Sequence, residues 1–212
     1  MNEQELFDYL IEQGATDVGF SEVEEDIGFG YAVSIVYKLS SAVVRTITNK
    51  PTMPYFQHYR TVNAFLDMLA LKTVRFLENK GYEAFPVAAS QSTGEFCGYF
   101  PHKTACVRAG LGYIGRSGLL ITPKYGSAVR LATVLTDMPL SPQRERIPFL
   151  CGDCFACVNA CPIGAISGRQ PTVNRDDFFD AKKCSQNMKN YKDIGRGAVC
   201  GVCMRVCPKS GL

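Results

Sequence analysis

Eight of the ten cysteines lie between residues 151 and 207, in two related runs. The first run has the spacing C-x2-C-x2-C-x3-C-P, and its cysteines are Cys151, Cys154, Cys157 and Cys161. This spacing is typical of bacterial ferredoxins, in which thiolates two residues apart surround one iron–sulfur cube. The second run, C-x2-C-x3-C-P from Cys200 to Pro208, is the same pattern without its first cysteine.

The isolated Cys184 can supply the ligand that the second run lacks, which gives eight thiolates for two 4Fe-4S clusters. In ferredoxins the last cysteine of each run binds the other cluster. One cluster is therefore predicted on Cys151, Cys154, Cys157 and Cys207. The second cluster is predicted on Cys161, Cys184, Cys200 and Cys203.

Two other uses of clustered cysteines, a zinc site and a disulfide scaffold, fit this spacing less well. Structural zinc sites usually have two separated Cys-x2-Cys pairs, whereas this chain has two C-x3-C-P endings. A disulfide scaffold would spread its cysteines, but only Cys97 and Cys106 precede residue 150. The acidic start of the chain does not fit a signal peptide, so a cytoplasmic location without membrane contact is expected.

Composition and charge limit the function classes further. The 212 residues are 46% hydrophobic and 20% charged, as in a globular protein with a core. The net charge of +3 is too small to indicate a nucleic-acid partner. Residues 151–212 hold nine Lys and Arg residues against five Asp residues. Two clusters of about −2 each would offset that excess, although a solvated basic face is the alternative.

Hydrophobic periodicity and turn residues predict a mixed α/β domain ahead of the cysteines. Helices are predicted over residues 2–13, 55–80 and 102–109. Strands are predicted over residues 16–23, 31–38, 82–89, 118–122 and 128–136. Prolines near residue 148 mark a linker, so we expect an α/β domain at 1–147 and a cluster-binding module at 148–212.

Three stretches give the chain a family resemblance. They are the glycine-rich residues 108–117, residues 120–140, and the cysteine region with its isolated Cys184. In these stretches the chain resembles the epoxyqueuosine reductase family and, more distantly, the reductive dehalogenases. The resemblance implies an α+β fold, in which a nitroreductase-like, cobalamin-binding α/β domain precedes a two-cluster bacterial ferredoxin-like module.

The glycine-rich segment is the predicted cofactor-binding element. Gly110-x-Gly112-x-x-Gly115 spells the dinucleotide fingerprint, but that motif needs a strand before it and a helix after it. Here a predicted helix precedes the segment. We therefore expect Gly110, Gly112, Gly115 and Gly118 to let the backbone approach a flat cofactor. A turn that serves only packing is the alternative.

The chain departs from the family at two places. Counting back from Gly110 to the family's catalytic aspartate reaches Phe96, and the sequence ends at Leu212, before the family's helical-repeat region. We therefore do not expect epoxyqueuosine reduction on tRNA. Glu95, Tyr99 and His102 are candidates for delivering a proton, with exposed or packing roles as the alternative.

These observations favour a redox protein that relays low-potential electrons through two 4Fe-4S clusters. The resemblance implies ferredoxin or flavodoxin as electron donor, and a corrinoid such as cobalamin, ahead of FMN, in the N-terminal domain. A carrier that activates a partner corrinoid or flavin protein is the alternative. A structural or oxygen-sensing role for the clusters is a third. Whether the chain is itself an oxidoreductase stays open here.

Overall fold

The structure is a computed structural model, which describes residues 2–91, 93–94, 96–194 and 199–210. Its contacts divide the chain into two compact units. The first unit contains residues 1–38, 62–112 and 130–147. The second unit contains residues 39–61, 113–129 and 148–212, so two upstream segments are grouped with the cysteine region. The predicted boundary between independent domains at residues 147 and 148 stays a prediction.

Helices and strands are mixed up to residue 136, and the described elements after it are all helical. The described α-helices are α1 (Glu3–Glu12), α2 (Ser41–Val44), α3 (Met53–Glu78), α4 (His102–Arg108), α5 (Ala156–Ala160), α6 (Ala181–Met188) and α7 (Val202–Arg205). The described strands are β1 (Asp17–Glu22), β2 (Tyr31–Lys38), β3 (Ala84–Val87), β4 (Tyr113–Ile114), β5 (Leu120–Ile121) and β6 (Val129–Thr136). Short 3-10 turns lie at Arg175–Asp177, Lys192–Ile194 and Pro208–Ser210.

Helix α1 forms where its capping residue predicts it. The Asn2 side chain accepts a hydrogen bond from the Glu5 backbone N–H at 2.8 Å, which satisfies one of the free amides of the first turn. Leu6 and Leu10, four residues apart, lie on one face and are fully buried. The predicted helix at the start of the chain is confirmed.

The first unit is built on a four-stranded sheet in the order β1-β2-β6-β3. β1 and β2 form an antiparallel pair in which Asp17 lies opposite Val36. β3 pairs antiparallel with β6, and Ala84 lies opposite Thr136. β3 is an edge strand, which explains how it tolerates Pro86, because an edge position needs no donor on its outer side. The core of the sheet includes Phe20, Ile35 and Leu135.

The second unit has little regular structure. β4 and β5 form a two-residue antiparallel ladder in place of the longer strand predicted over residues 118–122. The four-residue α2 was not predicted, because its sequence is too short to show a period. Ala165, Ile166, Val202 and Met204 are buried here and give the cysteine region its apolar interior. Within the described ranges, we find no helix with the length and apolar character needed to cross a bilayer.

Candidate metal centre

Four thiols from both runs line one pocket in the second unit. They are Cys151, Cys154, Cys157 and Cys207, the set predicted for one cluster. A turn closed by a hydrogen bond from the Cys154 N–H to the Cys151 carbonyl holds the first two at one wall. α5 carries Cys157, and Cys207 directly follows the turn that ends α7. Gly115, Arg116 and Ile121 also line the pocket.

The other four thiols form a second group. Burial raises the pKa of Cys184 to about 11, and negative charge on Cys200 and Cys161 adds to the shift. Burial likewise raises the pKa of Cys203, with contributions from Cys200 and Cys184. Cys184, carried by α6, is thus close enough to Cys200 and Cys161 for their charges to act on it. That these thiols share a cluster stays a prediction. The Ala165 N–H donates to Cys161 Sγ at 3.2 Å.

Burial, and after it the charge of neighbouring thiols, raises the pKa of four cysteines in this region: Cys157, Cys184, Cys200 and Cys203. Burial raises the pKa of Cys157 to about 11, with further contributions from Cys207, Cys151 and Cys154. Bound iron would reverse this balance, because a metal ligand must be a thiolate and the cation stabilises that charge. In the described part of the chain, no three His, Cys, Asp or Glu side chains converge on a single ion. The first group instead surrounds a pocket.

Arg116 gives the pocket a positive wall. Its guanidinium donates to the Gly152 carbonyl at 2.6 Å and to the Gly168 carbonyl at 2.5 Å. The group also lies over the Phe155 ring, 4.4 Å from its centroid. Its Nε is buried and has no hydrogen-bond partner among the described residues. A cube with four thiolates carries a charge of about −2, so the donor set and this cation both fit a 4Fe-4S cluster.

Comparison with known proteins agrees with this geometry. Residues 150–210 match the family described as the 4Fe-4S double cluster binding domain. The chain carries a double-cluster domain. It is 32% identical over 158 residues to the epoxyqueuosine reductase of Staphylococcus aureus. The aligned region is 73% of this chain and 39% of that protein. It is 34% identical over 151 residues to the tetrachloroethene reductive dehalogenase of Desulfitobacterium hafniense, covering 66% of this chain and 26% of that protein.

Solved structures show the same fold. An epoxyqueuosine reductase bound to a modified tRNA stem loop superimposes with a TM-score of 0.64 at 22% identity, over 98% of this chain and 65% of that one. A reductive dehalogenase, whose structure suggests a mechanism for B12-dependent dehalogenation, gives 0.72 at 21% identity, over 96% of this chain and 30% of that one. The resemblance to the epoxyqueuosine reductase-like family is confirmed. The chain spans well under half the length of these curated relatives.

The glycine-rich segment of this epoxyqueuosine reductase-like chain does not form a dinucleotide site. α4 precedes it and β4 lies within it, between Gly112 and Gly115, whereas the fingerprint requires a strand before it and a helix after it. Gly115 lies at the double-cluster domain's pocket, where an added Cβ would stand 3.5 Å from Cys151 Sγ and 2.8 Å from Ile121. Gly110 packs against the backbone of Arg144 and Glu145 in the first unit. Cofactor binding by Gly110, Gly112, Gly115 and Gly118 stays a prediction.

Of the three proton-delivery candidates, the structure gives His102 a packing environment. Its Nε2–H donates to the Ala88 carbonyl at 2.9 Å, and its Nδ1 accepts from the Thr133 hydroxyl at 2.8 Å, in the tautomer that satisfies both. Burial lowers the pKa of His102 to about 4, so the ring is neutral near pH 7. With both ring nitrogens engaged, a role in proton delivery by His102 stays a prediction.

The other two candidates lie in the segment before α4. Tyr99 is 47% exposed and packs against Phe85 with the rings tilted by 37° and their centroids 4.8 Å apart. Glu95 lies outside the residues that the structure describes. Its neighbour Phe96 has a φ of 64° and is 48% exposed. Counting back from Gly110 places the family's catalytic aspartate at this position. A non-glycine residue with this φ is strained, and such strain concentrates at functional segments.

Arg116 and Tyr113 were missed as site residues by sequence reasoning. Tyr113 is 5% exposed, and burial together with the neighbouring Cys151 raises the pKa of its phenol. The sequence signal for a role of Arg116 and Tyr113 at the site is their place inside the glycine-rich segment, whose pattern indicates a cofactor loop. Their contacts with residues 149–168 are long-range and have no local pattern.

Proposed function

We propose that this chain is an iron–sulfur redox protein that relays single low-potential electrons to a corrinoid held by its N-terminal domain. The observation that carries the proposal is the pocket lined by Cys151, Cys154, Cys157 and Cys207, four thiols drawn from both cysteine runs. The first group, Cys151, Cys154, Cys157 and Cys207, would hold one 4Fe-4S cluster. The second group, Cys161, Cys184, Cys200 and Cys203, would hold the other.

The residues around the thiols supply what electron transfer needs from a protein. When bound, each cluster would accept one electron and release it again. Buried Ala165, Ile166 and Val202 keep water from the cysteine region, and lower polarity around a cluster tunes its potential. Each electron would come from a one-electron carrier of the ferredoxin or flavodoxin class, which is oxidised by one electron as the acceptor is reduced by one.

Support for a corrinoid comes from the relatives. One solved neighbour is a reductive dehalogenase to which B12-dependent chemistry is attributed, and its fold covers 96% of this chain. The matches to relatives of both families cover 73% and 66% of this chain, which is more than the double-cluster domain alone. FMN is the second candidate for the same role.

Anaerobic titration of the cluster-loaded protein with cobalamin, and separately with FMN, tests the acceptor. We expect saturable binding of cobalamin and its one-electron reduction when a reduced ferredoxin is added. The Cys184→Ala variant should bind cobalamin equally well but reduce it more slowly, and Cys97→Ala is the matched control because Cys97 belongs to neither thiol group. Tight binding of FMN alone would replace the corrinoid by a flavin. If the protein binds neither cobalamin nor FMN, the proposal that its N-terminal domain holds an electron acceptor is wrong.

A carrier that activates a partner protein is the second candidate. It is favoured by Phe96, which stands where the family's aspartate is counted, and by the hydrogen bonds that occupy both nitrogens of His102. In that case the protein would bind no cobalamin yet reduce an added corrinoid protein in a ferredoxin-dependent way. A tRNA stem loop is the comparison ligand, since one structural neighbour binds one. We expect no binding of it here.

A further inference from the structure

We propose that Arg116 and Tyr113 are positioning residues that hold the loop of the first thiol group and raise the potential of the cluster bound there. This inference rests on the proposed function, because it concerns the cluster on Cys151, Cys154, Cys157 and Cys207. It goes further by assigning a task to two side chains that are not ligands. Both come from the short β4 region, far from the cysteines in sequence.

The hydrogen bonds of Arg116 connect two segments of the cysteine region. One N–H group holds Gly152, which lies between the first two cysteines, and another holds Gly168, beyond the end of the first run. The Phe155 and Phe149 rings lie under the guanidinium at 4.4 and 5.4 Å. Cation–π contact and two carbonyl acceptors fix the plane of the group. The loop carrying Cys151 and Cys154 is thereby held at both sides.

The guanidinium of Arg116 has no carboxylate partner in the described part of the chain. Among the described residues, Arg116 takes part in no ion pair, and its Nε has no acceptor although it is buried. A buried donor without an acceptor is costly, so an anion in the pocket would stabilise it. A 4Fe-4S cluster becomes more negative by one charge when reduced. A fixed cation beside it therefore favours the reduced form and raises the potential.

Tyr113 presents a second donor to the same group. Its hydroxyl is buried, and Cys151 is the thiol that acts on it most strongly, by its charge and by a side-chain hydrogen bond. The Phe149 ring packs edge-on against Tyr113, with centroids 6.2 Å apart, and also faces Arg116. An O–H group beside a ligating sulfur stabilises the added negative charge of a reduced cluster. The Arg116 and Tyr113 donors thus act in the same direction.

Redox titration of the full, cluster-loaded chain, followed by EPR, tests the assignment. Arg116→Gln should lower the reduction equilibrium constant of one cluster on the order of tenfold, about 59 mV for a one-electron couple, and leave the other cluster unchanged. Tyr113→Phe should shift the same cluster in the same direction by about threefold. Arg116→Lys keeps the charge and loses the planar fork. It should shift the potential less than Arg116→Gln but release iron to a chelator faster than the native chain.

Arg169→Gln is the matched control for charge, because Arg169 is exposed in the same unit, and Tyr82→Phe is the control for loss of a hydroxyl. Unchanged potentials in Arg116→Gln and Tyr113→Phe, or equal shifts in the controls, would overturn the inference. If Arg116→Gln takes up no iron, Tyr113→Phe decides the outcome alone. A native chain without clusters would instead refute the proposed function, so the two failures are distinguishable.

Discussion

The thiols of Cys157 and Cys203 are neighbours although they belong to different cysteine groups. Burial raises the pKa of Cys203, and negative charge on Cys200, Cys184, Cys157 and Cys161 contributes to the rise. Cys157 lies in α5 and Cys203 lies in α7, and these two helices pack together. The two proposed clusters would therefore be adjacent, with one thiolate of each at the boundary.

This adjacency predicts magnetic coupling between the two reduced clusters. In fully reduced protein, the EPR spectrum should be broadened by spin–spin interaction, and this broadening should be absent when only one cluster is reduced. A titration with dithionite, sampled at increasing reduction, would show the change. Two independent sets of narrow signals at full reduction would contradict the arrangement of Cys157 and Cys203.

Replacing the isolated cysteine should remove the second cluster. Cys184→Ala should lower the iron content from about eight toward about four per chain, because the other three thiols of its group cannot complete the cube. Cys97→Ala should keep the full content, since Cys97 is exposed and belongs to neither group. Iron and acid-labile sulfide assays on anaerobic protein check both variants. Equal iron in the two variants would remove Cys184 from the ligand set.

Gly126 should tolerate no side chain. An added Cβ would overlap the backbone of Lys209 and Ser210, next to Cys207, and the residue has a φ of 52°. Gly126→Ala should therefore cost about 2–4 kcal/mol in the free energy of unfolding, from overpacking and backbone strain together. Gly28→Ala, also at positive φ but with no atom near the added Cβ, should cost only about 1 kcal/mol. Anaerobic urea unfolding measures the difference, and equal midpoints would contradict it.

The burial of His102 predicts a loss of stability in acid. Its pKa is lowered to about 4 in the folded chain, whereas the unfolded chain takes up the proton near pH 6.5. The contribution of the neutral ring is present above pH 6.5 and declines as the pH falls toward 4, by up to about 3 kcal/mol in total. His102→Gln should flatten the dependence of the urea midpoint on pH between 5.5 and 7. An unchanged slope would contradict the prediction.

Local spacing was enough to determine a large part of this molecule. The thiol spacing predicted a two-cluster domain, which the match of residues 150–210 to the 4Fe-4S double cluster binding domain confirms, because ligand geometry restricts how cysteines can share a cube. The assignment of Cys184 to one cluster stays a prediction. Asn2 and the Leu6–Leu10 stripe predicted α1, since caps and helical periods act within one or two turns. β1, β2 and the long α3 followed from patterns of the same range.

Tertiary structure alone decided what surrounds the thiols. α2 and β4 are too short to leave a period in the sequence, and the glycine-rich segment spells a motif that its neighbours α4 and β4 do not support. Arg116 meets Gly152 and Gly168 only after the chain has folded. A burial environment is the sum of contacts between distant residues, so spacing along the chain can name the ligands but not the charges and donors that face them.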